Sequence, residues 1–362
     1  MQTAIEKLMD RLSKLEGGAQ AEAALITSDR NRFYFTGFPS SAGALLILRD
    51  TAYFMTDFRY GEAAAKSIHG CEVVCYSSMR ETLQQLLKKH SVKKVFLENE
   101  KMYLQESRVL ADILASAGAE AVLDDTLDKM IIALRTIKTP EEIQKIRDSQ
   151  KITDDAFSYI LGRIAPGRTE REIALEIEFF MRRQGAEGVA FELIVVSGAN
   201  GSMCHGVPSE KVIEKGDFIT MDTGALLNGY HSDMTRTVAV GQVSEEQRHV
   251  YELVLKAQKA AIAAAGPGVP CADVDKAARD LIEAEYPYAF GHSTGHGVGV
   301  EIHEWPRFQK GNTKKAEPGM VVTVEPGIYL EGKFGVRIED MIAITEDGIE
   351  NLTHSPKELL IL

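Results

Sequence analysis

Three acidic residues stand where acids are unexpected. Asp222, Asp233 and Glu325 each interrupt or end a β-like apolar run instead of sitting in a turn, and Glu339 closes a similar run fourteen residues after Glu325. Phe218–Asp222 reads as a strand, and Asn228-Gly229 after it is a strong hairpin signal because both residues tolerate positive φ. With that tip, Asp222 faces Thr235, and Asp233 is a diagonal neighbour about 7–8 Å away on the same face. A second hairpin turning at Glu331-Gly332-Lys333 sets Glu325 opposite Glu339. Like charges facing each other destabilise a sheet, and partly buried carboxylates are costly without a partner. Two such hairpins therefore ask for a cation. The competing reading is four solvated acids in an acidic chain.

Histidines strengthen the case for a metal. His205 lies in MCHGVPS, while His292, His296 and His303 lie in FGHSTGHGVGVEIHEWP. A single histidine is more often a hydrogen-bonded structural residue than a ligand, but four in two glycine-flanked stretches beside suspect carboxylates favour a site. Glycines around His296 let the backbone approach a metal or substrate closely. The string Gly295-His-Gly297-Val-Gly299 is not a dinucleotide fingerprint, because the spacing differs and no helical pattern follows. A thiol hydrolase built on Cys204 and His205 is disfavoured, since adjacent residues on extended chain point apart.

The elements that must hold these groups fall into two blocks. In the first, an amphipathic helix carries Ile5, Leu8, Met9, Leu12 and Leu15. Strand-like AALITS, AGALLILRD, TAYFMTDFRY, CEVVCYS, KKVFLENE and AEAVLDD then alternate with helical GEAAAKSI, RETLQQLLKKH and SRVLADILASAG. This predicts an α/β domain over residues 1–134 with no glycine-rich phosphate loop. The second domain, 135–362, opens at a capping box with proline at the first helical position, Thr139-Pro140-Glu141-Glu142. Ala165-Pro166-Gly167 ends its first helix, Thr169-x-x-Glu172 caps the next, and Ser244-x-x-Gln247 caps a third. Two helices, a carboxylate hairpin, two helices and a second carboxylate hairpin suggest an α+β duplication.

Composition bounds the partners. The chain of 362 residues has a formal net charge of -12, which argues against nucleic acid or an anionic membrane as partner. Cys71, Cys75, Cys204 and Cys271 form no C-x-x-C pair and read as reduced thiols of a cytoplasmic protein. The N-terminal segment lacks the pattern of a signal peptide, and no apolar run approaches membrane-spanning length.

The set DTGALLNGYHSDMTRT, GHSTGHGVGVEIHE, EPGMVVTVEPGIY and GVRIED resembles the proline-specific peptidases of the pita-bread metallopeptidase fold, Xaa-Pro dipeptidase and aminopeptidase P. The first block is similar to the creatinase/prolidase N-terminal domain. Thr223 departs from an aromatic residue common in relatives. The resemblance implies a dinuclear site in which Asp222 chelates one ion, Asp233 and Glu339 bridge both, and His296 and Glu325 complete the second. An oxygen-rich set with one imidazole suits Mn²⁺ or Co²⁺ better than zinc. It also implies that Glu325 moves the proton, that His205 and His303 bind the substrate carbonyl, and that Arg337 and Thr235 orient the ligands. His292 and Tyr329 would shape the proline pocket. The expected substrates are peptides with a free N-terminus and proline second. The expected assembly is a homodimer, with Phe38 or its neighbours in the loop Thr36–Ser41 bordering the partner's pocket. Asp57–Tyr60 is expected to be a strand end with an ordinary ion pair. The alternative is a metal-free relative, either a creatinase-like hydrolase or a non-catalytic peptide-binding module. A methionine aminopeptidase is disfavoured by the additional N-terminal domain.

Overall fold

The structure, a computed structural model, describes residues 2–15 and 22–362. The segment Glu16–Gly18, which the N-terminal reading included, lies outside the described residues. Two compact units are present, Met1–Arg135 and Thr136–Leu362.

The first unit runs α1 (Ala4–Ser13), β1 (Glu22–Ile26), α2 (Asp29–Thr36), β2 (Ala44–Ile47), β3 (Ala52–Thr56) and α3 (Phe58–Ser67). It continues with β4 (Glu72–Cys75), α4 (Met79–Lys89), β5 (Lys94–Leu97), α5 (Leu104–Ala117), β6 (Glu120–Val122) and α6 (Thr126–Thr136). Its six strands form one sheet in the order β4-β3-β2-β1-β5-β6. The central strands read as continuous apolar runs because both faces are covered. Ala24, Ile26, Leu45 and Phe54 pack on one side, and Ala23, Leu25, Leu46 and Met55 on the other.

One sequence expectation changes here, and one helix joins those read from the sequence. TAYFMTDFRY is a strand only as far as Thr56: Asp57 accepts from the Arg59 amide and caps α3, so Phe58–Tyr60 is helical. The stretch Asp29–Thr36 forms α2 although its apolar pattern is weak; the fully buried Glu98 carboxylate fixes its start by accepting from the amides and hydroxyls of Thr27 and Ser28 and from Asn31 Nδ2. Phe38, in the loop expected to border a partner's pocket, packs within its own unit. Its ring is buried against Phe54 and Tyr60 of its own unit, with edge-on centroid distances of 6.0 and 6.3 Å.

The second unit begins with α7 (Pro140–Leu161), α8 (Glu170–Arg183), β7 (Gly188–Val189), β8 (Ile194–Ser197) and a 3₁₀ turn over Gly198–Ser202. The first carboxylate hairpin follows as β9 (Phe218–Thr223), β10 (Ala225–Leu227), β11 (Tyr230–His231) and β12 (Met234–Ala239). Then come α9 (Glu245–Ala264), α10 (Cys271–Glu283), β13 (Gly295–Gly297), β14 (Glu304–Phe308) and β15 (Val321–Val324). The chain closes with β16 (Gly327–Leu330), β17 (Phe334–Arg337), β18 (Asp340–Ile344) and β19 (Ile349–Asn351).

All three expected capping boxes form, at Thr139, Thr169 and Ser244. The first helix stops at Leu161, short of Ala165-Pro166-Gly167. One core lies among α7, α8 and β8-β9-β12, and a second lies among α9, α10 and the five-stranded sheet β14-β13-β15-β18-β19. This is the duplicated helix-over-sheet arrangement that places one hairpin in each half.

Candidate metal centre

The first hairpin has the register read from its turn. Asn228 and Gly229 both have positive φ, Leu226 pairs with His231, and Asp222 pairs with Thr235. In the second, β16 and β17 pair Gly327 with Arg337, and β15 and β18 pair Val324 with Asp340, so one register runs through both ladders. Glu325 and Glu339 sit in the gap between them and are not ladder partners. The Glu325 amide donates to Thr294 O at 2.8 Å, and the Glu339 amide donates to Thr235 O at 3.1 Å. Each acid is thus tied to a segment outside the hairpin, Thr294 just before β13 and Thr235 in β12, and the second of these bonds joins the two halves of the unit.

The groups converge around His296. Its Nε2 lies 3.5 Å from Asp233 Oδ2 and 3.4 Å from Glu325 Oε1. Asp233, His296 and Glu339 each present one potential ligand atom, all within 4.8 Å of one another. Nδ1 of His296 donates to Gly297 O at 3.1 Å, which leaves a lone pair on Nε2. Burial, followed by the nearby His303, drives this imidazole's pKa down to about 3, so it is neutral. Burial and the neighbouring acids do the reverse to the carboxyls. Asp233 and Glu339 are held well above the usual range, first by burial and then by Glu339 and Glu325 respectively. Glu325 is pushed up to about 8, chiefly by burial.

Arg337 organises the other side. Its side chain is 4% exposed and its Nη2 lies 2.6 Å from Asp222 Oδ2. Nε donates to Thr235 Oγ1 at 2.9 Å, and that hydroxyl donates to Glu339 Oε2 at 2.7 Å. Nη1 donates to Tyr329 Oη at 2.8 Å; the tyrosine hydroxyl donates to His292 Nε2 at 2.9 Å, and His292 Nδ1 donates to Ser293 O at 2.8 Å. Ser293 O can only accept, so Nδ1 carries the proton and Nε2 accepts from Tyr329, which fixes the His292 tautomer. Its pKa falls to about 4, through burial and then the Arg337 charge.

His205, His292, His296, His303, Asp222, Glu325 and Arg337 line one cavity of about 220 Å³. A larger adjoining one of about 640 Å³ also reaches His205, His303, Asp222, Asp233 and His296. Its outer wall, Leu175 and Glu178 of α8 with Phe191 and Val207, carried no signal in the sequence beyond amphipathicity. Sequence reasoning also passed over Asp275, buried on α10. Its Oδ1 accepts from the amide and hydroxyl of Thr294, while the paired Arg279 donates to His292 O. The Asp–Arg spacing of four was visible, but not what the pair would hold.

Acidic oxygens brought together at this density, with one neutral imidazole, fit divalent cations. Asp222 Oδ1 adds to this, being buried with no hydrogen-bond partner. A two-domain α/β plus duplicated α+β architecture with a carboxylate–histidine centre defines a metallopeptidase of the pita-bread type. The chain belongs to metallopeptidase family M24, whose pattern residues 144–346 match, while residues 6–137 match the creatinase/prolidase N-terminal domain. It is 44% identical to an uncharacterized peptidase, YqhT, of Bacillus subtilis (strain 168), over 98% of this chain and 99% of that one. Among solved structures, it is similar to an Xaa-Pro dipeptidase from Bacillus anthracis (TM-score 0.91, 41% identity, 99% of this chain and 100% of that one). An X-Pro aminopeptidase from Thermotoga maritima MSB8 aligns with TM-score 0.89 and 36% identity, over 98% and 100% of the two chains. Among the described residues, no helix is long and apolar enough to cross a membrane.

Proposed function

We propose that this chain hydrolyses the Xaa–Pro bond at the free N-terminus of dipeptides or short peptides, using two divalent ions, Mn²⁺ or Co²⁺ in preference to Zn²⁺. The observation that carries the reading is the packing of Asp233, Glu325 and Glu339 around one neutral His296, with Asp222 Oδ1 buried and unpartnered. Asp222 would hold one ion, Asp233 and Glu339 both, and His296 and Glu325 the second. A metal-free relative would have no use for this set.

When bound, such ions lower the pKa of water and polarise a carbonyl. Glu325 is the proton carrier: its carboxylate lies 3.4 Å from His296 and lines the cavity, where it can take a proton from water and deliver it to the departing proline nitrogen. His205 and His303 face the same cavity and donate to the scissile carbonyl oxygen as negative charge develops there. Arg337 holds Asp222 and, through Thr235, Glu339, while His292 and Tyr329 form the wall that receives the proline ring.

Proline selectivity follows from what the substrate lacks. An X–Pro bond has no amide N–H, so strand-like recognition of that donor fails and a rigid histidine–tyrosine wall takes over. We place the enzyme in the cytoplasm, a reading that four free cysteines support, and as a homodimer on its likeness to the family. The division into an N-terminal domain, 1–134, and a catalytic domain, 135–362, is part of the same proposal. The test titrates metal-free protein with Mn²⁺, Co²⁺ and Zn²⁺ against X-Pro, X-Pro-Y and X-Ala substrates. Cleavage of X-Ala with X-Pro left intact would refute the assignment, and the ratio of X-Pro to X-Pro-Y rates assigns the preferred length. A monomeric mass at full activity would refute the dimer.

A further inference from the structure

We propose that Glu170, the first residue of α8, is a positioning residue for His205. The proposal deepens the catalytic reading above and rests on it for His205's role. Glu170 is fully buried, yet its carboxylate is turned away from its own helix and gathers the loop that carries His205. Oε1 accepts from the Ser197 amide at 2.6 Å and the Ser197 hydroxyl at 2.9 Å, where the loop leaves β8. Oε2 accepts from the Ser209 hydroxyl at 2.7 Å and the Ser209 amide at 3.1 Å, where the loop returns. Asn200 Nδ2 spans both oxygens at 3.2 Å. One side chain therefore clasps the two ends of the segment 197–209.

The middle of the segment is fixed separately. Its backbone passes so close to β17 that a Cβ on Gly335 would lie 2.0 Å from Gly201 O. Arg337 Nη1 reaches Cys204 O at 3.2 Å, and a Cβ on Gly206 would lie 2.7 Å from Val196 Cγ1. His205 stands between those last two anchors, so closing the loop ends decides where its ring enters the cavity.

A simpler role for an acid in the first turn of a helix is to complement the helix dipole. That role does not explain these contacts. The capping box of α8 is already complete with Thr169 and Glu172, and the donors on Glu170 all come from the loop. All of these groups are donors, so both carboxylate oxygens are needed. A glutamine has nearly the same shape but turns an NH₂ toward one pair of them, so one end of the loop loses its bonds to this side chain and keeps only backbone anchors, the Arg171 amide on Ser209 O or the pairing of Ser197 with Ile219.

The experiment compares full-length wild type, Glu170→Gln, His205→Ala and the double variant. In metal-free protein, hydrogen exchange of residues 198–209 should rise ~10-fold in Glu170→Gln, with α8 and the sheets unchanged. In Mn²⁺-loaded protein acting on an X-Pro dipeptide, kcat should fall ~10- to 100-fold with KM within about 3-fold, as expected for a misplaced transition-state donor. Added to His205→Ala, the glutamine should cost less than about 2-fold more, because residues acting as one unit are not additive. Multiplicative losses, a uniform rise in exchange across the unit, or full activity despite a loosened loop would each overturn the proposal. If wild type itself leaves X-Pro peptides intact, the functional reading fails, and the exchange data alone decide whether Glu170 holds the loop. Should Glu170→Gln not fold, Ser209→Ala removes one of the same bonds, and the same pattern of outcomes applies at smaller size.

Discussion

Lys138 and Glu304 form an ion pair at 3.1 Å, with side chains 1% and 4% exposed. It sits under the loop that presents His303. Glu304 Oε1 accepts the Glu301 amide at 3.0 Å, and a Cβ on Gly299 would lie 2.7 Å from both Glu304 oxygens. Lys138 is itself held in place, its amide donating to Gly319 O at 2.8 Å. Lys138→Met keeps much of the stem and removes the ammonium that lies 3.1 Å from a desolvated carboxylate. Breaking a buried pair in this way costs about 3–5 kcal/mol, far more than the pair's net worth against an apolar replacement. At roughly 2–4 °C per kcal/mol for a unit of this size, the thermal midpoint should drop by on the order of 10 °C. Glu304→Gln in the Lys138→Met background needs no cation and should recover half or more of that loss, whereas either single substitution is costly. Calorimetry and denaturant titration of all four proteins give the coupling directly. A Lys138→Met loss below about 1 kcal/mol, the range of exposed pairs, would refute the argument that this pair is dry.

Two further outcomes are expected. In metal-free protein, the raised pKa of Glu325 contributes stability that is fully present below about 4.5 and lost as pH rises through about 8. Glu325→Gln should therefore match wild type near pH 4.5 and exceed it by several kcal/mol above pH 8 in chelator, and a gap independent of pH would contradict this. Arg337→Met removes the cation 2.6 Å from Asp222 and the support of Thr235, so kcat/KM should fall by ~100-fold or more with the fold retained; a loss under about 3-fold, measured at equal metal content, would show that Arg337 is not what orients the carboxylates.

Local chemistry made the hairpins and caps readable in the chain. Asn228-Gly229 admits the positive φ of a tight turn, a period of two then fixes which residues face Asp222, and Thr139, Thr169 and Ser244 announce helix starts because their hydroxyls satisfy orphan amides. The motifs around His296 and Glu325 carried the family. Helix α2 was not readable, because its start is fixed by Glu98, about seventy residues away in the chain. Nor was the destination of the Glu325 and Glu339 amides, which donate to Thr294 O and Thr235 O outside their own hairpin although its register is the one read from the turn. Glu170, Glu304 and Asp275 look like ordinary surface acids in the sequence. Only the tertiary structure turns them inward, since a buried carboxylate is tolerable only where several donors from distant segments meet it. Sequence thus determined which groups can bind and react. Packing decided which acids hold the loops that aim them, because that depends on long-range donors that no local pattern encodes.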